Sequence, residues 1–93
     1  MDAKNKKTTK QLERHFKGVA NHWRIAIVNL IAKKKGLSVE DIAENLSGNF
    51  KTISDHARKL NQAGLVNKKY VGHRVTHTLS PYGEKFYKFI SSF

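Results

Sequence analysis

Ninety-three residues with 18 Lys and Arg against 7 Asp and Glu carry a formal net charge of +11, and 39% hydrophobic residues suffice for one modest core. The absence of cysteine excludes a disulfide framework, a thiolate metal site and a cysteine nucleophile. No apolar run approaches the roughly 20 residues of a membrane span, and the start Met1-Asp2-Ala3-Lys4-Asn5-Lys6-Lys7 lacks the apolar stretch of a secretory signal.

Residues 1–8 are polar and lysine-rich and are expected to form a flexible basic arm, ahead of one folded domain over 9–93. From Thr9, the residues Leu12, Phe16 and Val19 recur at helical spacing, predicting a first helix to about Ala20. A second helix is expected from about His22 to Lys35. Its stripe is Trp23, Ile27, Leu30 and Ile31, broadened by Ile25 and Val28, with Lys33, Lys34 and Lys35 at the negative dipole end and Gly36 as the stop.

Ser38 caps a third helix, with Glu40 and Asp41 in its first turn and Val39, Ile42, Ala43 and Leu46 as its buried positions. Ser47-Gly48 turns the chain. Asn49 caps a fourth helix that runs to about Ala63, with Gly64 at its end. On it Ile53, Ala57 and Leu60 point inward, so Lys51, Thr52, Ser54, Asp55, Arg58, Lys59 and Gln62 point outward.

Past Gly64 the period drops from 3.6 to 2. Val66, Lys68 and Tyr70 alternate with Asn67, Lys69 and Val71; Gly72-His73 makes the turn, and the strand from Arg74 to Leu79 returns with Val75, His77 and Leu79 on one face. Ser80-Pro81 opens a last helix, proline standing where its missing N–H costs nothing. The fold class is mainly α with a small β-hairpin, in the order four helices, two strands, one helix.

Two helices joined by a short glycine-containing turn meet steeply and leave the second one protruding. Followed at once by a basic hairpin, the pattern is that of a winged helix-turn-helix. It supplies one helix for a DNA groove and a cationic surface for the phosphates around it. A charge of +11 exceeds the magnitude of about 2 to 8 that solubility needs, which favours a polyanionic partner, nucleic acid ahead of an anionic membrane surface.

Three stretches, ANHWRIAIVNLI (20–31), LSVEDIAENLSGNFKTISDHARKLNQAGLV (37–66) and YVGHRVTHTL (70–79), resemble the ArsR family of winged-helix regulators, over roughly residues 12–93. The second contains an acid-led helix and a recognition helix of the pattern T-[VI]-S-x-H-x-x-x-L. The run Leu79-Ser80-Pro81-Tyr82-Gly83 is also similar to the L-[ST]-x-x-G of MarR and other winged-helix relatives.

The resemblance implies base-facing roles for Phe50, Lys51, Ser54, Asp55 and Arg58, and phosphate contacts for Asn49 and Thr52. His56 and Lys59 belong to the same helix, His56 either packing or touching DNA. On physical grounds Arg58 can grip guanine bidentately and Ser54 is short enough for close groove approach. Lys51 sits near the positive helix end, where phosphate is favoured. Phe50 departs from the usual polar residue and either touches a thymine methyl or folds back as core. Asp55 either accepts from a cytosine amine or pairs locally with Lys51 or Lys59. The wing residues Lys68, Lys69, His73 and Arg74 suit backbone or minor-groove contact, or simply make an exposed charged hairpin.

Members of the family often sense metals, and here the carry-over stops. The positions of the cysteine pair in the metal-sensing branch are Ser38 and Glu40, and the last helix holds neither histidine nor aspartate. His73 and His77, four apart on a strand, lie about 13 Å from each other, too far to share an ion. No metal, cofactor or small-molecule ligand is expected.

Leu12, Phe16 and Val19 in the first helix, with Tyr82, Phe86, Phe89, Ile90 and Phe93 in the last, form two apolar stripes. Together they exceed what a small core requires. In the family these helices build the homodimer, which the stripes suit. No nucleophile–base motif, paired acidic cleft or phosphate loop supports catalysis; Ser54, Asp55 and His56 are contiguous on a helix and their side chains diverge. The sequence therefore predicts a non-enzymatic, cytoplasmic, nucleoid-associated regulator, a homodimeric repressor on a palindromic duplex operator. An architectural chromatin protein and a winged-helix module docking to protein or RNA are the alternatives.

Overall fold

The computed structural model describes residues 6–93. Most of the basic arm expected over 1–8 lies outside the described residues, and its last residue, Thr8, is the N-cap of the first helix. Seven elements follow: α1 (Thr9–Val19), α2 (His22–Lys33), α3 (Val39–Leu46), α4 (Phe50–Gln62), β1 (Val66–Val71), β2 (Arg74–Leu79) and α5 (Pro81–Ser91).

Every helix opens on a side chain that accepts from its orphan N–H groups. Thr8 and Ser38 do so in reciprocal capping boxes with Gln11 and Asp41. Asn21 accepts from the N–H groups of Trp23 and Arg24, and Asn49 from that of Thr52. Ser80 has two tasks: its Oγ accepts from the Gly83 N–H at 3.0 Å and donates to the Gly64 carbonyl at 2.6 Å. It thereby clamps the start of α5 onto the end of α4.

α2 stops at Lys33, two residues short of the expected end, and Lys34 is extended. The chain leaves the helix early because Leu37 pairs with β2. The His77 N–H donates to Leu37 O at 2.9 Å, and the Gly36 N–H to His77 O at 3.2 Å. The hairpin itself is antiparallel in the register Val66↔Leu79 to Val71↔Arg74. Gly72, at φ +62°, takes the first central position of its two-residue turn, where a type II′ turn requires positive φ.

The core is one cluster. Ile27, Val28 and Ile31 of α2 meet Ile42 of α3, Ile53 and Leu60 of α4, and Leu65 and Val66 at the entry to the hairpin, all at most 1% exposed. Each such side chain contributes about 1.5–3 kcal/mol relative to exposure. Two glycines set the angles around this core. A Cβ on Gly48 would lie 2.8 Å from Ile53, and one on Gly83 would lie 2.0 Å from the Leu65 carbonyl oxygen. The steep α3–α4 turn and the seating of α5 both need the missing side chain.

Candidate nucleic-acid interface

α4 divides along its axis. Ile53, Ala57 and Leu60 are buried as its period requires. Phe50, Lys51, Thr52, Arg58 and Lys59 are exposed, with Ser54, Asp55 and His56 half-buried between them. Asn49 Oδ1 accepts from the Thr52 N–H at 3.2 Å, so the polar cap stands at the helix's positive end.

Phe50 does not fold back as core. It is 53% exposed and, with Val39, Val71, Arg74 and Val75, lines the cleft between α4, the start of α3 and the hairpin. Asp55 pairs locally, with Arg58 and, at 3.2 Å, with Lys59. Arg58 rather than Lys51 is the second partner, because an acid N-terminal to its cation on a helix has the better orientation. Hydrogen bonds from Arg58 first and Lys59 second hold the Asp55 carboxyl below the usual carboxylate range.

His56 turns toward α2, where its Nδ1 accepts from Arg24 Nη1 at 3.4 Å. Burial, and then the nearby charges of Arg24 and Lys59, lower its pKa from the ordinary histidine value. A guanidinium can only donate, so this contact requires a lone pair on Nδ1 and selects the Nε2–H tautomer. Sequence reasoning placed His56 on the recognition helix but missed this partner, which lies 32 positions earlier in the chain.

On the hairpin Lys68, Lys69 and His73 are exposed. Arg74 is tethered: its Nη2 lies 2.5 Å from Asp41 Oδ2 and 3.3 Å from Gly36 O. Tyr70 and Val71 are also exposed, giving the hairpin an apolar outer surface beside its charges.

The two apolar stripes converge. Leu12 and Phe16 of α1 line a groove with Tyr82, Phe86 and Phe89 of α5, and Phe16 meets Phe86 edge to face at 4.9 Å. Phe16 is still 51% exposed and Phe93, packed edge to face on Phe89, 93% exposed. Val19 goes instead into the protein's own core at 7% exposure, because it faces α2 and α4 at the end of α1. Phe86 shares its burial between core and groove, and Ile90 packs on the core; Tyr87, absent from the expected stripe, also packs on the core.

Two histidines missed as structural residues are buried. His15 Nδ1 donates to Ala63 O at 2.8 Å while its ring stacks on Tyr82. His77 Nδ1 donates to Leu37 O at 2.8 Å. Both occupy a ring nitrogen on backbone, and among the described residues no three His, Asp or Glu side chains group as metal ligands. At the start of α3, where the family's metal-sensing branch carries cysteines, the Ser38 hydroxyl accepts from the Asp41 N–H and Asp41 answers Ser38 and Arg74. This donor set does not fit a soft metal ion. Among the described residues no helix is long and apolar enough to cross a membrane.

The family model for bacterial regulatory proteins of the arsR family matches residues 22–68, from the first residue of α2 into β1. The chain belongs to the ArsR family. The family and the fold are those of DNA-binding transcriptional regulators, not of enzymes.

Among solved structures, this ArsR-family chain is similar to the homodimeric winged helix-turn-helix DNA-binding domain of Mb0332 from Mycobacterium bovis, with 26% identity and a TM-score of 0.81 over 89% of this chain and 77% of that one. HlyU from Vibrio vulnificus is 25% identical, with a TM-score of 0.76 over 90% of this chain and 88% of that one. The transcriptional repressor PagR of Bacillus anthracis shares the fold at 24% identity, with a TM-score of 0.80 over 87% and 93%. No curated protein matches the sequence.

Proposed function

We propose that this ArsR-family regulator is a homodimeric repressor that reads a palindromic duplex operator and does so without a metal ion. The observation that carries this reading is the outward face of α4. It is capped by Asn49, presents Lys51, Thr52 and Arg58 to solvent with Ser54 half-buried among them, and stands beside a basic hairpin.

In this reading Phe50, Lys51, Ser54, Asp55 and Arg58 face base edges, Asn49 and Thr52 hold phosphate, and His56 and Lys59 flank them. Lys68, Lys69, His73 and Arg74 grip backbone as the wing. Arg58 must release Asp55 to reach guanine, so the acid acts as a gate on it. The pair is exposed and screened by solvent, so releasing it opposes base contact only weakly.

The groove of Leu12, Phe16, Tyr82, Phe86 and Phe89 supports dimerisation, with Phe93 packed on Phe89 and Ile90 on the same helix, whereas Val19 serves the core. A two-fold axis there presents two α4 helices to successive major-groove turns, about 34 Å apart. The homodimeric state of the Mycobacterium bovis domain points the same way. The absence of metal control is supported by the start of α3, where Ser38 and Asp41 are engaged in the helix cap and no thiolate stands. The basic arm over 1–8 adds phosphate affinity, 9–93 acts as one unit, and the working location is the cytoplasmic nucleoid.

The charge of +11 favours one other reading, an architectural chromatin protein with little sequence preference. Competition between a duplex selected from a random pool and a scrambled duplex separates the two. A repressor prefers the selected duplex about a thousandfold or more, whereas an architectural protein holds both alike.

A further inference from the structure

A second cationic surface lies on the side of α4 that the wing does not reach. Arg14 and Lys17 of α1, Arg24 of α2 and Lys59 of α4 line one open cleft. None of the first three belongs to the recognition helix or the hairpin. The floor of the cleft is bare: a Cβ on Gly18 would lie 2.3 Å from the Ala63 Cβ, so the missing side chain lets α1 rest directly on the end of α4. That contact brings cations from three helices together.

Arg24 is the member with unspent capacity. Its Nη1 donates to His56, but its Nε, shielded from solvent, has no hydrogen-bond partner among the described residues. A guanidinium N–H left in that state costs free energy until an acceptor arrives. Lys17 is paired only through an exposed contact with Glu13 at 3.3 Å, and Lys59 through one with Asp55 at 3.2 Å. Four cations against two carboxylates leave the cleft net positive. Arg14 is partly committed, since its Nη2 donates to Gln62 O at 3.1 Å.

The position of the cleft matters as much as its charge. Phe50, at the start of α4, borders the wing, and Lys59 borders the cleft. At 1.5 Å per residue these two are about 14 Å apart along the helix. The major groove is about 12 Å wide, with a phosphate row on each side. A helix lying across it with the wing near one end meets the opposite row near the other.

We propose that Arg24, Lys17 and Lys59, with Arg14 behind them, form a second phosphate clamp that grips duplex DNA backbone on the side of α4 opposite the wing. This rests on the DNA-binding role argued above and adds residues of α1 and α2 to it. Once the Arg24 side chain turns outward from His56, backbone phosphate supplies the acceptor that its Nε lacks in the buried position. It also relieves the positive potential that Lys59 and Arg24 place on His56.

The test is the salt dependence of duplex binding by the full chain, using one selected duplex and one scrambled duplex. Arg24→Gln and Lys17→Gln each remove one phosphate contact per protomer, so in the dimer each should make the slope of log K against log[salt] shallower by about two and weaken both duplexes by the same factor. Lys17 is a solvent-facing residue whose replacement leaves the core untouched, so its variant reports even where Arg24→Gln perturbs packing. Slopes and affinities equal to wild type in both variants, with Lys68→Ala still weakening binding, overturn the clamp and leave the regulator reading in place. A wild-type chain that binds no duplex removes both.

Discussion

Asp41 and Arg74 are joined across 33 positions of sequence: the carboxylate at the start of α3 accepts from the guanidinium at the root of the wing at 2.5 Å. The same carboxylate closes the α3 capping box through the Ser38 N–H at 3.0 Å. One side chain thus fixes both the opening of the helix-turn-helix and the angle of the hairpin beside it. An Arg74 held in this way meets DNA as part of a preset surface rather than as a free arm.

The Asp41 carboxyl is held below the usual carboxylate range, first by the Ser38 N–H and then by Arg74. A lowered folded-state value means stability that is present above the unfolded value, about 4 for Asp, and is lost as pH falls through the folded value. Thermal melts across the acid range should therefore show a shallower loss of stability for Asp41→Asn than for wild type. Parallel curves would mean that the contact contributes nothing.

His56 has the same sign for a different reason. Burial and Arg24 lower its pKa, so the unfolded chain takes up the proton more readily. The melting midpoint should fall as pH drops below about 6.5, and His56→Gln should flatten that region. A variant with an unchanged slope there would assign the acid sensitivity to another group.

The groove between α1 and α5 predicts a separable effect on assembly. Phe16 is half exposed and touches only Phe86 as an aromatic partner. Phe16→Glu should convert a dimer to a monomer in sedimentation while leaving a cooperative melt, because the lost aromatic contact is worth about 0.5–1.5 kcal/mol. A variant that still sediments as a dimer would place the interface elsewhere.

Gly83 tests the seating of the last helix. A Cβ there would lie 2.0 Å from the Leu65 carbonyl oxygen, and backbone cannot swing aside as a flexible side chain can. Gly83→Ala should destabilise by about 1–3 kcal/mol, read as a shifted denaturant midpoint. The same change at Gly36, which has open space around it but a φ of +80°, is limited to backbone strain.

Much of this fold was legible in the chain because its signals are local. Ser38, Asn49 and Ser80 cap the helices they precede, Ile53, Ala57 and Leu60 mark the buried side of α4, and Gly72 turns the hairpin. What was illegible depends on partners distant in sequence. The early end of α2 follows from Leu37 pairing with His77, forty positions away. Burial of His15 depends on the end of α4. Val19 and Leu12 share one helical stripe, yet only the first meets the core. For the candidate interface, the outward residues of α4 could be read from period alone. The bonds of His56 to Arg24 and of Asp41 to Arg74 could not, since no spacing rule links those positions.

The central claim is that two copies of α4 read one duplex in register. Footprinting the full chain on the best duplex selected from a random pool tests it most directly. Two protected half-sites of inverted sequence, centred one helical turn or about 34 Å apart, are the predicted result. A single unpaired footprint, or uniform protection with no selected sequence, would contradict it.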